Sequence, residues 1–385
     1  MINVLFVLSD NSIYSGAFNS IVVLCHILKN NYGVNPVVVV PKKGNGVKLL
    51  ERYGIDYCYV RSYSWVMQNQ KKNSCKELSE LFLKVILNKY SVARLCKIIR
   101  KQKIDIVHVN TIWSYVGAKA AKKMQVPCIW HIREALDADQ NKKLYNNKCY
   151  DFIDSVDKIV VISDYLCEHY SDRLSKDHMS VVYNGIDADR FICYRGEKRE
   201  ARGTIRFLNV ASMIANKGQE VILKAVKILQ NEGISDFMVS LVGGGSKEKD
   251  LIRYANDLGI IDKVLFCGRT DKVEEYYQNS DVFIMSSKAE AFGRVTVEAM
   301  MEGCCVIGSD SGATPELIED GVTGLLYKCE NAEDLARIMK GIILGDIDYK
   351  AIATQGQDYA IKNYSAAKNA ESVYSVYKEL CDRKK

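Results

Sequence analysis

The sequence predicts an α/β fold of two domains, each built on an open parallel sheet of the Rossmann type. The chain has 385 residues, which is more than one hydrophobic core usually serves. Short apolar runs alternate with amphipathic helical patterns in both halves, and this alternation is typical of βαβ units. A charged stretch that is poor in apolar residues, 187–203, separates the halves and is predicted to be a linker.

The first domain is predicted to span residues 1–186. Its strands are apolar on both faces, as in a sheet covered by helices. Strands are predicted at Val4–Leu8, Val37–Val40, Ile104–Val109, Cys128–His131, Lys158–Ile162 and Ser180–Val182. Helices are predicted at Ala17–Asn30, Lys76–Lys101 and Tyr115–Met124.

The second domain is predicted to span residues 204–363 and to repeat the scheme. Its strands are predicted at Ile205–Ala211, Phe237–Val242, Val264–Cys267, Val282–Met285 and Cys305–Gly308. Its helices are predicted at Gln219–Gln230, Lys247–Leu258, Lys272–Gln278, Val295–Met301 and Ala332–Ile342. An amphipathic segment, Tyr364–Leu380, follows the complete second sheet, and its pattern fits packing on its own domain or crossing back to the first.

Composition narrows the class of protein. The 13 cysteines form no Cys-x-x-Cys pair, which favours a reduced, cytoplasmic protein over a disulfide framework or a zinc site. The first residues resemble a buried strand and not a signal peptide, and no apolar run approaches the roughly 20 residues of a membrane span. The formal charge of +6 is mild and fits an anionic ligand or membrane surface. No nucleic-acid partner is expected.

The most informative stretch joins the predicted strand Val282–Met285 to the next helix. Ligands of open α/β sheets bind beyond the carboxyl ends of the strands. A helix that starts near Arg294 would aim free backbone N–H groups at that crevice, which suits a phosphate. Glu290 lies on the loop and Glu298 about one turn inside the helix, and their carboxylates suit the hydroxyls of ribose or hexose.

Glu290 and Glu298, with seven residues between them, resemble the Glu-x7-Glu signature of retaining glycosyltransferase family 4, which has the GT-B fold. Further segments resemble family motifs in the same order: Trp130–Glu134, Asn184–Asp187, Lys217–Gly218, Gly312–Glu316 and Gly321–Gly324. The resemblance covers nearly the whole chain. It implies two Rossmann-like domains that face a central cleft, and we expect residues 364–385 to pack toward the first domain.

The resemblance also implies roles for single residues. Glu290 would bind a hydroxyl of the donor sugar and Glu298 the ribose, while Lys217 would neutralise the diphosphate. His131 would face the reacting sugar, so His131, Glu290 and Lys217 are the expected catalytic residues. The remaining donor-binding candidates are Gly16, Ser212, Gly243, Arg269, Ala291, Phe292, Gly293 and Arg294.

One departure from the family pattern concerns the phosphate site. The family has an Arg five residues before the Lys, where this chain has Ser212. Arg294 or Arg269 would then supply the second positive charge, or the protein would be weakly active or inactive. Two alternatives to a transferase stay open: a nucleotide-sugar epimerase of the same fold and a nucleotide-sugar-binding subunit without turnover.

The expected reaction transfers a hexose from a nucleoside diphosphate sugar to an acceptor hydroxyl, with retention of the anomeric configuration. UDP is the commoner carrier, with GDP as the alternative. No cofactor or metal is expected, because no Asp-x-Asp motif is placed to bind one. Acceptors would be saccharides or lipid-linked saccharides of bacterial capsule, exopolysaccharide or O-antigen synthesis.

A basic helix in the first domain is relevant to whether the protein associates with a membrane. The segment from Lys76 to Lys103 mixes apolar residues with Lys and Arg. Such a helix is either a solvated basic face or a surface that lies on an anionic membrane. A lipid-linked acceptor would favour the second, giving a cytoplasmic protein peripheral to the inner face of the cell membrane.

Overall fold

The computed structural model describes residues 1–69, 75–191 and 203–382. The described chain forms two compact units. Unit 1 comprises Met1–Gly185 and the chain from Ala366 onward, and unit 2 comprises Ile186–Ser365. Most of the predicted linker, from 192 to 202, lies outside the described residues, whereas its first part forms a short helix at Ala188–Phe191.

Unit 1 is built on a seven-stranded parallel sheet of order β3-β2-β1-β5-β6-β8-β9, and a separate antiparallel ribbon pairs β4 with β7. The strands are β1 Ile2–Val7, β2 Val34–Val40, β3 Asp56–Tyr59, β4 Val66–Gln68, β5 Ile106–Asn110, β6 Cys128–Ile132, β7 Lys142–Leu144, β8 Lys158–Val161 and β9 Met179–Val181. The helices are α1 Gly16–Tyr32, α2 Val47–Arg52, α3 Cys75–Lys101, α4 Val116–Met124, α5 Leu136–Gln140, α6 Lys148–Asp154, α7 Asp164–Tyr170, a 3₁₀ turn at Lys176–His178 and the C-terminal helix Ala366–Asp382.

Unit 2 is built on a six-stranded parallel sheet of order β12-β11-β10-β13-β14-β15. Its strands are β10 Ile205–Val210, β11 Phe237–Val242, β12 Val264–Gly268, β13 Val282–Met285, β14 Cys305–Ser309 and β15 Leu325–Tyr327. Its helices are α8 Ala188–Phe191, α9 Gln219–Asn231, α10 Glu248–Asp257, α11 Val273–Gln278, α12 Arg294–Met301, α13 Thr314–Leu317, α14 Ala332–Leu344 and α15 Tyr349–Tyr364, with 3₁₀ turns at Ala215–Lys217 and Ile261–Lys263.

The C-terminal helix completes the core of unit 1. Val373, Val376, Tyr377 and Leu380 are buried in the cluster that also contains the inward side chains of β1, β2 and α1. The helix runs beside α1. Its apolar stripe therefore meets the partner surface that the sequence pattern requires.

The last helix lies where it is predicted, but it begins and ends two residues later, at Ala366 and Asp382. The sequence predicts a helix from Tyr364, but Tyr364 ends α15 and the C-terminal helix begins at Ala366. Ser365 between them has extended backbone and forms a β-bridge with Ile186. A break of one residue leaves apolar periodicity nearly unchanged, and for this reason the sequence does not reveal it.

Within the described ranges, no helix is long and apolar enough to cross a membrane.

Candidate functional site

The loop that leads into α12 is fixed by a neighbouring loop. Gly293 precedes the helix with φ +90°, a conformation that favours glycine, and α12 begins at Arg294 as predicted. The Glu290 carbonyl accepts a hydrogen bond from Ala313 N at 2.9 Å. A Cβ on Gly312 would lie 2.6 Å from Glu290 N, so only glycine allows the two loops this close approach. Ala291 and Phe292 are buried between these anchors.

Lys217 and Glu290 form an ion pair at the carboxyl edge of the unit 2 sheet. Their side chains are 19% and 16% exposed, so water reaches the pair only in part. Ser287 Oγ donates a second hydrogen bond to Glu290 Oε1 at 2.8 Å. The two loops interlock, since Ser286 Oγ donates to Lys217 O at 2.7 Å. The Lys217 cation and the Glu290 acceptor are thus held side by side. A phosphate suits the lysine, and a hydroxyl suits the carboxylate.

Glu298 is held on the inward face of α12 by two donors. Arg294 Nη2 lies 3.2 Å from Glu298 Oε1, and Tyr277 Oη donates to Glu298 Oε2 at 3.2 Å. Tyr277 is fully buried, and burial together with the charge of Glu298 raises the pKa of its phenol well above the ordinary value. The carboxylate therefore keeps one orientation.

Two residues near Glu298 are not among the candidates predicted from the sequence. Tyr277 occupies an ordinary core position of the predicted helix Lys272–Gln278, and Arg190 lies in the predicted linker. Arg190 is ion-paired with Glu274. Although burial opposes it, the hydrogen bond with Glu274 and the charges of Glu274 and Glu298 raise the pKa of Arg190. No spacing in the sequence connects α8 with α12, so only the tertiary structure reveals this second arginine near Glu298.

Ser212, Gly243 and Arg269 come together after three adjacent strands, β10, β11 and β12. Gly243 has φ +134°, and a Cβ there would lie 2.0 Å from Ala211 O. The Arg269 side chain runs past Gly244, with its Cγ 3.1 Å from the position of a Cβ on that glycine. Ser212 and Arg269 are both exposed. Arg269 is thus a cation next to the turn that contains Gly243 and Gly244. It lies on the same side of the sheet as Ser212, which stands where the family pattern has an arginine.

In unit 1, Gly16 is the first residue of α1. Ser15 caps this helix, its Oγ accepting from Phe18 N at 3.3 Å. Asn110 Nδ2 donates to Ala17 O at 3.4 Å. The start of α1 is in this way tied to the end of β5, which is the edge where His131 also lies.

His131 lies near the end of β6 and is fully buried. Its Nδ1 is 3.1 Å from His108 Nε2 and 3.3 Å from Arg133 Nη2. Burial, Arg133 and His108 lower the pKa of His131 well below its ordinary value, so the ring is neutral. The structure thus joins His131 directly with His108, and through Arg133 with Asn110.

Among the described residues, no group of three or more His, Cys, Asp and Glu is arranged to hold a metal ion.

Family models match both halves of the chain. Residues 77–190 match the model "Glycosyltransferase Family 4", and residues 194–359 match "Glycosyl transferases group 1". Lys217, Glu290, Arg294 and Glu298 fall inside the second match.

Two similar proteins are matched over most of the chain. An uncharacterized glycosyltransferase, MJ1178, of Methanocaldococcus jannaschii is 28% identical over 306 residues, covering 77% of this chain and 81% of its own. The Escherichia coli UDP-Gal:alpha-D-GlcNAc-diphosphoundecaprenol alpha-1,3-galactosyltransferase is 22% identical over 324 residues, covering 80% and 82%.

A solved structure with the same fold is HepE from Anabaena in complex with UDP. It superposes with a TM-score of 0.79 at 18% identity, covering 98% of this chain and 100% of that one. This likeness shows the GT-B fold. The two family matches, which together span most of the chain, show that it is a glycosyltransferase that belongs to family 4.

Proposed function

We propose that the protein is a retaining, metal-independent hexosyltransferase that uses a UDP sugar and an acceptor saccharide, in the synthesis of a surface polysaccharide. The observation that carries this proposal is the convergence of Lys217–Glu290 and Arg294–Glu298 at one edge of the unit 2 sheet. The Escherichia coli relative, whose name includes UDP-Gal and a diphosphoundecaprenol acceptor, supports the choice of donor and acceptor class. The UDP complex of HepE supports uridine as the base.

Unit 2 has the groups needed to bind the donor. Glu298 accepts hydrogen bonds from the ribose hydroxyls, and Glu290 accepts one from a hydroxyl of the hexose. The backbone N–H groups at the start of α12, with Lys217 and Arg294, bind the diphosphate. Since these positive groups are fixed before the reaction, they stabilise the negative charge that grows on the departing UDP.

The carboxylates do not have the arrangement of a glycosidase pair, which flanks the scissile bond. Glu290 accepts hydrogen bonds from Lys217 and Ser287, and Glu298 accepts them from Arg294 and Tyr277. We therefore assign no covalent intermediate. The bond between the anomeric carbon and the phosphate oxygen breaks, the acceptor oxygen bonds to the same face of that carbon, and the departing phosphate takes the acceptor proton.

The reaction is tested by product analysis in excess chelator. The protein is incubated with UDP-glucose, UDP-galactose or UDP-N-acetylglucosamine and a lipid-linked saccharide, and the new glycosidic linkage is analysed by NMR. We expect an α linkage from one of these α-configured donors at a rate that the chelator does not change. A β linkage contradicts retention, loss of turnover in chelator contradicts metal independence, and an epimer formed from donor alone identifies an epimerase.

The exposed face of α3 supports a membrane-bound acceptor. Phe82, Ile86 and Tyr90 recur every four residues on one side of the helix, and Leu83 lies beside them. Phe82 is 69% exposed and Tyr90 75%. The next turns expose the basic residues Lys89, Arg94, Lys97, Arg100 and Lys101. Because the buried stripe of α3 is separate (Leu81, Val92, Leu95 and Ile99), the exposed side chains are not needed to fill the core.

Aromatic and aliphatic side chains flanked by cations suit the boundary of an anionic bilayer. We expect the protein to sediment with vesicles that contain phosphatidylglycerol and not with neutral phosphatidylcholine vesicles. Phe82→Ser with Ile86→Ser should weaken this binding roughly tenfold, since each substitution removes apolar surface that the bilayer would bury on binding. Leu344→Ser, at a site 55% exposed in unit 2, is the matched control. Equal sedimentation of the Phe82/Ile86 variant and this control would remove α3 from the membrane contact.

A further inference from the structure

A continuous chain of buried polar groups runs from the C-terminal helix to His131. Tyr377 Oη lies 2.7 Å from His108 Nδ1, and His108 Nε2 lies 3.1 Å from His131 Nδ1. All three side chains are fully buried. Phe6 stacks on the His108 ring at 4.9 Å and holds its plane. His108 therefore lies between the other two side chains and is hydrogen-bonded to both of them.

Arg133 sets the direction of this chain. A guanidinium group only donates, so the atom it meets on His131, Nδ1, must accept. Arg133 is itself fixed, because its Nε donates to Asn110 Oδ1 at 2.5 Å and its Nη1 donates to Asn184 Oδ1. All three residues are buried, which keeps the donor in place.

The remaining protons follow from this one assignment. Since His131 Nδ1 carries no proton, His108 must donate to it through Nε2–H. A neutral His108 then has an unprotonated Nδ1, which accepts from the Tyr377 hydroxyl. The single proton of the neutral His131 ring is left on Nε2.

Electrostatics keep both rings neutral. Burial and the nearby charge of Arg133 lower the pKa of His108 to about 3. The same causes lower the pKa of His131 well below its ordinary value. The hydroxyl of Tyr377 stays protonated because burial raises its pKa.

We propose that Tyr377 and His108 are positioning residues that fix His131 as a neutral imidazole, with its Nε2–H offered to a substrate oxygen. Nε2 is buried and has no hydrogen-bond partner among the described residues, although an unsatisfied buried donor is costly. A sugar hydroxyl or a phosphate oxygen would satisfy it, and this part rests on the proposed function. His131 is then a hydrogen-bond donor and not a general base.

The proton positions are tested in the wild-type protein by NMR of ¹⁵N-histidine-labelled samples. We expect His131 and His108 to be protonated at Nε2 alone, with shifts that stay constant between pH 6 and 8. A scalar coupling through the hydrogen bond should join His108 Nε2 with His131 Nδ1. A proton on His131 Nδ1, or titration of either ring in this range, would overturn the proposal.

The role in turnover is tested with Tyr377→Phe, which removes only the hydroxyl. Loss of one hydrogen bond should lower kcat about threefold to tenfold, because the His108 ring is no longer held by the tyrosine hydroxyl, and the His131 shifts should change. Tyr374→Phe on the same helix, whose ring contacts Tyr32 at 4.8 Å, is the matched control and should keep the wild-type kcat. Because UDP binding resides in unit 2, its affinity should be the same in all three proteins.

Conservative replacement separates positioning from packing. His108→Gln keeps one acceptor and one donor and should retain more activity than His108→Phe, which keeps only the ring. Wild-type kcat in Tyr377→Phe with unchanged His131 shifts would contradict the inference. If the wild-type NMR result is as expected but no donor is turned over, the proposed function is wrong and the assigned proton positions still hold.

Discussion

Lys217→Met is expected to lower kcat at saturating donor by about 100-fold to 1000-fold, the usual effect of removing a group that stabilises developing charge in a transition state. Lys217 is the cation paired with Glu290 beside the start of α12. If the proposed function is right, the negative charge on the departing diphosphate loses a fixed counterion in this variant. Steady-state kinetics with the donor at saturation measure this effect directly.

Two further variants identify the cause of that loss. Lys340→Met breaks an exposed ion pair with Glu232 in the same unit and should leave kcat unchanged. Lys217→Met with Glu290→Gln removes the carboxylate that would otherwise be left without its lysine. If the double variant recovered wild-type kcat, the loss in the single variant would be due to the unbalanced Glu290, and Lys217 would have no role at the diphosphate.

Glu298→Gln is expected to weaken UDP binding by about 100-fold, since hydrogen bonds to a charged acceptor contribute about 1.5–3 kcal/mol each. The amide keeps the shape of the side chain and one acceptor for Tyr277, so α12 should stay folded. Titration calorimetry with UDP gives the affinity. Its control is Glu275→Gln, which breaks an exposed pair with Lys272, and an equal UDP affinity for both variants would remove Glu298 from the ribose site.

Apolar patterning predicts the two sheets well, because parallel strands buried on both faces leave a strong signal. Phe237–Val242 and Val282–Met285 have the predicted bounds. The strands that escape prediction are short or lie at an edge. Asp56–Tyr59 and Leu325–Tyr327 are edge strands, and Val66–Gln68 pairs only with Lys142–Leu144. In such strands tertiary pairing, and not local pattern, decides the structure.

The ribbon of β4 and β7 explains part of what the sequence leaves open in unit 1. Its strands lie in two segments, 61–73 and 135–148, that carry no recognisable motif. Trp65 anchors the first segment, donating from Nε1 to Ile112 O at 2.7 Å and stacking on Trp130 at 5.8 Å. A pairing between segments some 70 residues apart in sequence has no local signature, so it emerges only from the fold.

The candidate site was predictable where motif and strand end coincide, as at Glu290, Arg294 and Glu298. The supporting contacts were not predictable. Sequence spacing indicates that Arg294 and Glu298 share a helix face, but it does not show that Tyr277 meets the same carboxylate. In the same way, His108 and His131 lie on adjacent strands, whereas Tyr377 is far away in sequence.

We propose that unit 2 binds a nucleoside diphosphate through protein groups alone. Titration of UDP into the full chain in excess chelator tests this proposal most directly. We expect one site with a dissociation constant on the order of 1 μM to 1 mM, the range of most enzyme KM values, unchanged when Mg²⁺ replaces the chelator. Binding of neither UDP nor GDP, or binding that appears only when a divalent metal is added, would contradict it.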